Sequence, residues 1–560
     1  MAHRGQAADY YTNIDEQNGQ NGSKDYPMQP QQAYGGQQQQ YNGQQQQQYG
    51  GAQSMPPPPS YQQGFGQWSP DNKPTFEQAF KVEKPKYNDW WAGLLFLAVF
   101  AGFVAVSGIS LQGYAATKGF NGGGIYGSQN DFGLNTNTMV LFAFCLVMAL
   151  VLGYGYISMA RIFTKQFIWI TGILNIIWCL ATAIYMLYRK YYSGGIVFLI
   201  FGLFTVFCFI TWIPRIPFSV LMLQTAIDVS KKFGHVYIVS FLGGLIAAAF
   251  GAWFSVTLVA VYVHFEPGAN PACNASAGGS GGCSSAKVIG LVVFITFAGY
   301  WITEVLKNII HVTISGVYGA WYFSPNNPPK GATRGALRRA LTYSFGSISL
   351  GSLVVALINL LRQACSVAQQ QNGSTGNFAT DCAFCILQCF LGLLDWAVQF
   401  INRYAFSYMA LYGKSYFESA KATWRLIKGK QAPSYATYEN YTDHPPDRGI
   451  DALVNECLIG PVLTMGATFV AYACALLAYL YLVFTKPSYN TNGEFTPVVV
   501  AYAFLIGLQI ANCFTVPLSS GIDTIFVAAA WDPEVLMKEH PEMYSRMIEV
   551  YPHVQQAIHA

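Results

Sequence analysis

The sequence contains few charged residues: Asp, Glu, Lys and Arg make up only 10% of its 560 residues. A typical soluble domain is about 25% charged. Hydrophobic residues reach 52%, and several apolar runs match the roughly 20 residues that a helix needs to cross a bilayer. These features exclude a soluble enzyme with one anchor and predict an all-α, polytopic integral membrane protein. The net charge of +4 gives no indication of a nucleic-acid partner.

Cysteine is also scarce, with 12 residues in the whole chain, too few for a disulfide scaffold. The spacing Cys382-x-x-Cys385-x-x-x-Cys389 has no accompanying His or second CxxC, so we expect no metal site. Cys273 and Cys283 flank a Gly-rich loop, and an external location there permits a disulfide between them. The sequons at Asn274 and Asn372 are candidate glycosylation sites for the same reason.

Two further motifs are missing from the sequence. There is no GxxxxGK[ST] phosphate loop, which disfavours an ATP-driven pump, and we expect no cofactor. The N-terminal residues lack the apolar core of a signal peptide. We therefore expect the first long apolar run to act as an uncleaved signal anchor.

Residues 1–87 are rich in Gln, Gly, Pro and Tyr and have almost no aliphatic residues, so we expect a disordered tail. Within it, Pro58, Pro59 and Tyr61 fit the PPxY pattern that WW domains bind as a polyproline helix. A WW-domain ubiquitin ligase that controls surface abundance is the natural candidate partner. The alternative is a chance match in a segment rich in Pro and Tyr.

Residues 88–531 are predicted to form a ten-span transmembrane domain, followed by a polar tail at 532–560. Lys and Arg cluster in alternate loops, which by the positive-inside rule places both termini in the cytoplasm. Between spans four and five, residues 218–233 are predicted to form an amphipathic helix on the inner surface. The spans are predicted at about 90–111, 139–160, 166–188, 194–213, 235–264, 287–323, 340–361, 382–408, 452–484 and 497–517.

The sixth span carries four polar residues, Glu304, Lys307, Asn308 and His311, that share one face at about 100° per residue. Because ionisable groups are costly in hydrocarbon, they are expected to face a cavity, the bundle interior or one another. One interpretation is a polar wall along a transport pathway. Another is an ion pair between Glu304 and Lys307, with Asn308 and His311 joining helices. A third places the cluster at the cytoplasmic interface.

Several long segments of the sequence resemble the choline transporter-like family, in the same order along the chain. They are LTYSFGSISLGSLVVALINLLRQ (341–363), YAFSYMALYGKSYFESAKATWRLI (404–427), DRGIDALVNE (447–456) and DPEV (532–535). KYNDWWAGLLF (86–96), RIFTKQFI (161–168) and YSGGIVFLIF (192–201) resemble its fungal branch. The resemblance implies a ten-span plasma-membrane protein with cytoplasmic termini and, for the animal members of the family, transport of choline and related ethanolamines.

Choline is a quaternary ammonium without an N–H donor, so aromatic faces and a carboxylate are the groups suited to bind it. The candidate substrate-binding residues are Glu304 with Tyr300, Trp301, Tyr318 and Trp321, and Asp395 with Trp396. His311 is the candidate for coupling proton movement to substrate movement.

The leading hypothesis is therefore a non-ATP-driven transporter of a small organic cation. The alternative is a non-transporting membrane scaffold whose tail recruits partners. An intramembrane enzyme using Asn308 and His311 is the least favoured interpretation, and we expect no enzymatic activity.

Overall fold

The computed structural model of the chain describes residues 86–118, 136–265, 285–326, 328–372, 378–428, 457–486 and 496–550. Within these ranges the chain forms fifteen α-helices. In chain order they are α1 (Trp90–Lys118), α2 (Thr136–Ile162), α3 (Thr164–Tyr188), α4 (Tyr192–Trp212), α5 (Ile216–Lys232), α6 (His235–Phe265), α7 (Ser285–Phe323), α8 (Ala332–Leu341), α9 (Phe345–Asn372), α10 (Phe378–Tyr412), α11 (Tyr416–Lys428), α12 (Ile459–Thr485), α13 (Thr496–Trp531), α14 (Pro533–Glu539) and α15 (Pro541–Val550).

Ten helical segments in the described ranges are long and apolar enough to cross a membrane. This confirms the prediction of an all-α polytopic membrane protein with about ten spans. The spans correspond to α1, α2, α3, α4 continuing into α5, α6, α7, α9, α10, α12 and α13.

Helix α5 differs from its prediction as an amphipathic helix lying on the membrane surface. A short 3-10 turn, Ile213–Arg215, joins it to α4, and ten of its 17 residues are buried, among them Phe218, Met222 and Leu223. It packs against α3, α13 and α15. Pro214 and Pro217 lie in the first turns of their helical segments, where a missing N–H donor costs little, so they bend the chain without ending it. The predicted amphipathic pattern is present, but the apolar face of the helix packs against other helices of the protein.

The last span is longer than predicted, because α13 continues through Pro517 to Trp531 as one helix of 36 residues. Membrane helices tolerate an internal proline when neighbouring groups satisfy the freed carbonyl. The predicted polar tail also begins with folded structure. Val535, Leu536 and Met547, in α14 and α15, are buried against the bundle.

Helix α7 is the central helix of the bundle. Its 39 residues span about 58 Å at 1.5 Å per residue, well beyond the hydrocarbon core. It packs against α6, α8, α9, α10 and α13. Trp301, Tyr318 and Tyr322, all on α7, are among the largest fully buried side chains of the described chain.

Three contacts bring the ends of distant segments to one end of the bundle. The Asn88 amide donates to the Gly413 carbonyl over 2.8 Å, the Leu458 N–H donates to the Ser219 hydroxyl over 2.8 Å, and the Tyr322 hydroxyl donates to the Asp532 carbonyl over 3.0 Å. We call this end, which holds the residues just before α1 and just after α13, the Asp532 end. An even number of spans, as predicted, requires the membrane domain to begin and end on the same side of the membrane.

Candidate functional site

Two exposed polar side chains interrupt an otherwise covered stretch of α7. Between residues 294 and 323, all of which are described, only Thr303 and Lys307 are exposed. They lie one turn apart, with the partly buried Tyr300 and Glu304 beside them. A helix surface facing lipid is expected to be apolar. This polar opening, defined by Thr303 and Lys307, therefore departs from the surface expected of a lipid-facing helix.

Neighbouring contacts show which helices surround the opening. Gly243 of α6 lies so close to Ile310 that a Cβ atom there would meet the Ile310 side chain at 2.4 Å. His311 contacts Ser520 of α13 at 2.9 Å. We set the direction of Glu304 around the helix axis at 0° and rotate by about 100° per residue. Ile310 then points near 240° and His311 near 340°, and the polar opening lies between these two directions.

Helices α6 and α13 also contact each other directly next to this space. The Gln509 side chain of α13 donates to the Gly244 carbonyl of α6 over 3.4 Å, and Tyr237 and Phe514 approach with ring centroids 6.2 Å apart. The polar opening of α7 therefore faces the space between α6 and α13.

Glu304 and Lys307 form an ion pair at 3.4 Å across one helical turn. The Lys307 side chain is 58% exposed, whereas that of Glu304 is 15% exposed. A pair with an exposed, flexible lysine stabilises a protein little. The geometry holds the Glu304 carboxylate beside the opening with a partner that can move away.

His311 joins three helices through both of its ring nitrogens. Nε2 lies 2.9 Å from the Arg403 carbonyl oxygen and 3.1 Å from the Ser407 hydroxyl, both on α10, while Nδ1 lies 2.9 Å from the Ser520 hydroxyl of α13. Because a carbonyl oxygen only accepts, Nε2 carries the proton of the neutral ring and Nδ1 accepts from Ser520. The ring thus bridges α7, α10 and α13 next to the opening.

Asn308 is buried and donates from its side-chain nitrogen to the Ser352 hydroxyl of α9 over 2.9 Å. The four polar residues of α7 therefore separate into a Glu304–Lys307 ion pair and two residues, Asn308 and His311, that connect helices. This is the second of the interpretations that the sequence permitted. The exposure of Lys307 keeps the first compatible with the structure.

Sequence reasoning missed a second charged pair, between Arg403 of α10 and Asp523 of α13. The Asp523 side chain is only 4% exposed. Both residues lie in long apolar helices, so the rule that singled out Glu304 applies to each of them. Four acids of the described spans each pair with a base: Asp228 with Lys231, Glu304 with Lys307, Asp395 with Arg362, and Asp523 with Arg403.

Most of the predicted aromatic partners of Glu304 lie elsewhere. The Trp301 indole N–H donates to the Ser349 carbonyl of α9 over 2.9 Å, and the Tyr318 hydroxyl donates to the Ala226 carbonyl of α5 over 2.8 Å. Trp321 packs on His540, with ring centroids 4.3 Å apart. Along a straight helix, Tyr318 and Trp321 are about 21 and 25 Å from Glu304. Of the predicted aromatic partners on α7, only Tyr300 lies one turn from Glu304 and on the same face of the helix.

The second predicted acid, Asp395, lies on α10 with a different set of partners. Its carboxylate is 3.1 Å from an Arg362 guanidinium nitrogen and accepts from the Gln399 side chain over 2.9 Å. The adjacent Trp396 is 64% exposed and stacks on Phe400. The two residues point in different directions and do not form a shared site.

The remaining predicted sites are not covered by the description. Cys273, Asn274 and Cys283 lie outside the described residues, as do Pro58, Pro59 and Tyr61. Asn372 is the last residue of α9, but its side chain is not among those described. The disulfide, the glycans and the WW ligand stay predictions. Among the described residues, no three metal-ligating side chains lie together.

Comparison with known proteins gives the family. A sequence model described as "Plasma-membrane choline transporter" matches residues 196–534, from α4 into α14. The chain belongs to the choline transporter-like family. It is 60% identical over 492 residues to Protein PNS1 of Gibberella zeae, covering 88% of this chain and 87% of the relative.

Other relatives confirm the predicted fungal branch. Protein PNS1 of Neurospora crassa is 58% identical over 555 residues, covering 96% of this chain and 93% of the relative. Protein PNS1 of Saccharomyces cerevisiae is 40% identical over 489 residues, covering 86% and 87%. The part that matches the family model includes the polar opening, His311 and the Arg403–Asp523 pair.

Proposed function

We propose that this protein transports choline or a related small organic cation across the plasma membrane without ATP hydrolysis. The observation that carries the proposal is the polar opening: Thr303 and Lys307 are the only exposed side chains along residues 294–323 of the central helix. Membership of a family described as plasma-membrane choline transporters supports the substrate class. Both termini are proposed to be cytoplasmic because Lys and Arg cluster in the loops predicted on that side.

In this proposal the substrate cation exchanges with the Lys307 ammonium at the Glu304 carboxylate. The Glu304–Lys307 distance of 3.4 Å is the longest of the four ion pairs in the described spans. Exchange of one cation for another keeps the carboxylate neutralised in both states, which avoids the cost of an isolated charge away from water. Tyr300, one turn away, offers its ring to the methylated ammonium.

His311 is proposed to couple protonation to helix movement. In the neutral ring, Nδ1 accepts from Ser520 of α13, and protonation turns that nitrogen into a donor. The Ser520 hydroxyl must then rotate and accept, while the bond from Nε2 to the Arg403 carbonyl is unaffected. Protonation thus changes the link from α7 to α13 and leaves the link to α10 in place.

By contrast, we propose that Trp301, Tyr318 and Trp321 stabilise helix packing and do not contact substrate. Trp301 and Tyr318 are fully buried and hydrogen-bonded to neighbouring helices, and Trp321 packs on His540 near the Asp532 end. Asp395 is proposed to fix α9 against α10 through Arg362, and Trp396 to face lipid.

Thiol labelling tests whether the polar opening is accessible to water and whether it binds a cation. Thr303→Cys should react with a positively charged, water-soluble thiol reagent, and millimolar choline should slow the reaction. Val293→Cys is the matched control, because Val293 is also exposed on α7 but is apolar and lies before the covered stretch. Mass spectrometry of the modified peptides separates both sites from native cysteines. Equal labelling of both positions, unaffected by choline, would contradict the proposal.

A further inference from the structure

A cleft of about 210 Å³ opens between α2, α5 and α15, away from the polar opening of α7. Because α15 follows Asp532 and packs on α5, this cleft lies at the Asp532 end. Six polar side chains line most of it: Arg161, Gln224, Thr225, Asp228, Lys231 and Arg546.

The cleft carries an excess of positive charge. Three of its lining residues are bases and one is an acid. Asp228 is already paired with Lys231 at 3.0 Å. Within the described part of the chain, neither Arg161 nor Arg546 forms an ion pair. Two guanidinium groups without an acidic partner at one concave site make it suited to an anion.

The chemistry of the lining favours phosphate among anions. A guanidinium group presents a planar fork of N–H donors that matches phosphate oxygens, and two such groups can bind one phosphate from two sides. The Gln224 amide adds donors from α5, and no hydrogen bond engages it within the described residues. Thr225 contributes only acceptors, because its hydroxyl already donates to the Leu221 carbonyl over 3.0 Å.

The position of Arg161 favours a lipid as the source of that phosphate. It lies at the end of a membrane span, and Ile162 and Phe163, which follow it, are exposed apolar residues. Basic pockets between membrane helices recur as binding sites for phosphorylated lipid headgroups. We infer that this cleft binds the phosphate of an anionic lipid headgroup, in the leaflet at the Asp532 end. The site is separate from the proposed transport path.

The inference is tested with the purified full-length protein in detergent and a short-chain probe, dioctanoyl phosphatidylinositol 4-phosphate. A ligand that binds only the folded state raises the unfolding temperature. The probe should do so saturably, whereas dioctanoyl phosphatidylcholine should not. In Arg161→Gln/Arg546→Gln the apparent affinity should fall by about tenfold or more, since charge-assisted hydrogen bonds are lost. Lys421→Gln/Arg425→Gln, which removes two positive charges on the exposed face of α11, should bind as the wild type does.

Further variants and probes keep the result interpretable. Arg161→Lys/Arg546→Lys retains the charge without the fork and should bind with intermediate affinity. Equal binding by the wild type and the double glutamine variant would overturn the inference, as would an equal loss in the α11 control. Inorganic phosphate that binds as tightly as the lipid probe would overturn the assignment to a lipid headgroup.

Discussion

Arg403 of α10 donates from Nε to a carboxylate oxygen of Asp523 of α13, inside the helical bundle. The Arg403 carbonyl also accepts from His311, and Ser520, one turn before Asp523, contacts the same imidazole. One connected set of polar groups therefore ties the central helix α7 to both α10 and α13. Any movement of α13 relative to α7 must change this set.

Loss of one member of the Arg403–Asp523 pair is expected to be costly. Asp523→Asn leaves the guanidinium without its counter-charge, and we expect a loss of roughly 2–3 kcal/mol in folding stability, discounted for the partial exposure of Arg403. Unfolding of the purified protein in detergent measures this loss.

The double variant Arg403→Gln/Asp523→Asn is the control for this pair. Because neither charge is then left alone, it should lose less stability than the sum of the two single variants. Additive losses would show that the two side chains do not depend on each other.

Gly346, near the start of α9, is expected to accept no side chain. A Cβ atom there would meet the Asp89 carbonyl oxygen at 2.3 Å and the Asn88 carbonyl oxygen at 2.5 Å, and these backbone atoms cannot rotate away. Gly346→Ala should therefore lower stability by about 2 kcal/mol. Gly392→Ala on α10 is the matched control, because nothing lies within 4 Å of its added Cβ atom. A thermal unfolding midpoint that falls equally in both variants would argue against the close contact.

The aromatic ring of Tyr300 is expected to matter for substrate affinity, whereas its hydroxyl is not. If the ring binds a methylated ammonium, Tyr300→Phe should leave the KM for choline uptake unchanged. Tyr300→Leu should raise it by roughly 30-fold, since a desolvated cation–π contact is worth about 2 kcal/mol. Kinetics of labelled uptake into vesicles provide the measurement. An unchanged KM in the leucine variant would remove Tyr300 from the site.

Docking of α14 and α15 is expected to weaken in acid through His540. Burial lowers the pKa of this imidazole below its ordinary 6.5, the nearby Lys232 charge acts in the same direction, and the hydrogen bond to the Tyr322 carbonyl opposes both. The folded state thus prefers the neutral ring. Its contribution to stability is present above pH 6.5 and is lost as the pH falls from there toward the lowered folded-state pKa. The protection factors of the amide hydrogens in α14 and α15, which are exchange rates corrected for their intrinsic pH dependence, should therefore decrease between pH 7.5 and 5.5. Unchanged protection factors in that range would contradict this account.

Sequence patterns predicted the spans well, because each long apolar run forms one helix by itself. These patterns were less informative where the position of a segment depends on its packing against another helix. The amphipathic pattern of α5 is the same whether its apolar face meets lipid or, as here, meets α3 and α13. Likewise, the polarity of residues after Asp532 did not reveal that Leu536 and Met547 pack into the bundle.

In the candidate site, too, local patterns predicted the features within one helix but not the contacts between helices. The helical period alone placed Glu304, Lys307, Asn308 and His311 on one face, but only neighbouring helices separate the ion pair from the two connecting residues. Arg403 and Asp523 are 120 residues apart in the chain, so no local pattern could pair them. Aromatic residues make up 16% of the sequence, so some of them lie near any given residue along the chain. Tyr318 and Trp321 follow Glu304 in the sequence, but they are not near it in space.

Uptake of labelled choline into proteoliposomes containing the purified protein tests the central claim most directly. The account predicts saturable uptake by the wild type, lost in Glu304→Gln and retained in Glu418→Gln, which makes the same change on the exposed face of α11. Uptake by Glu304→Gln equal to that of the wild type would remove the carboxylate from the path. Wild-type uptake no greater than that of empty vesicles, with or without a pH gradient, would contradict choline transport itself.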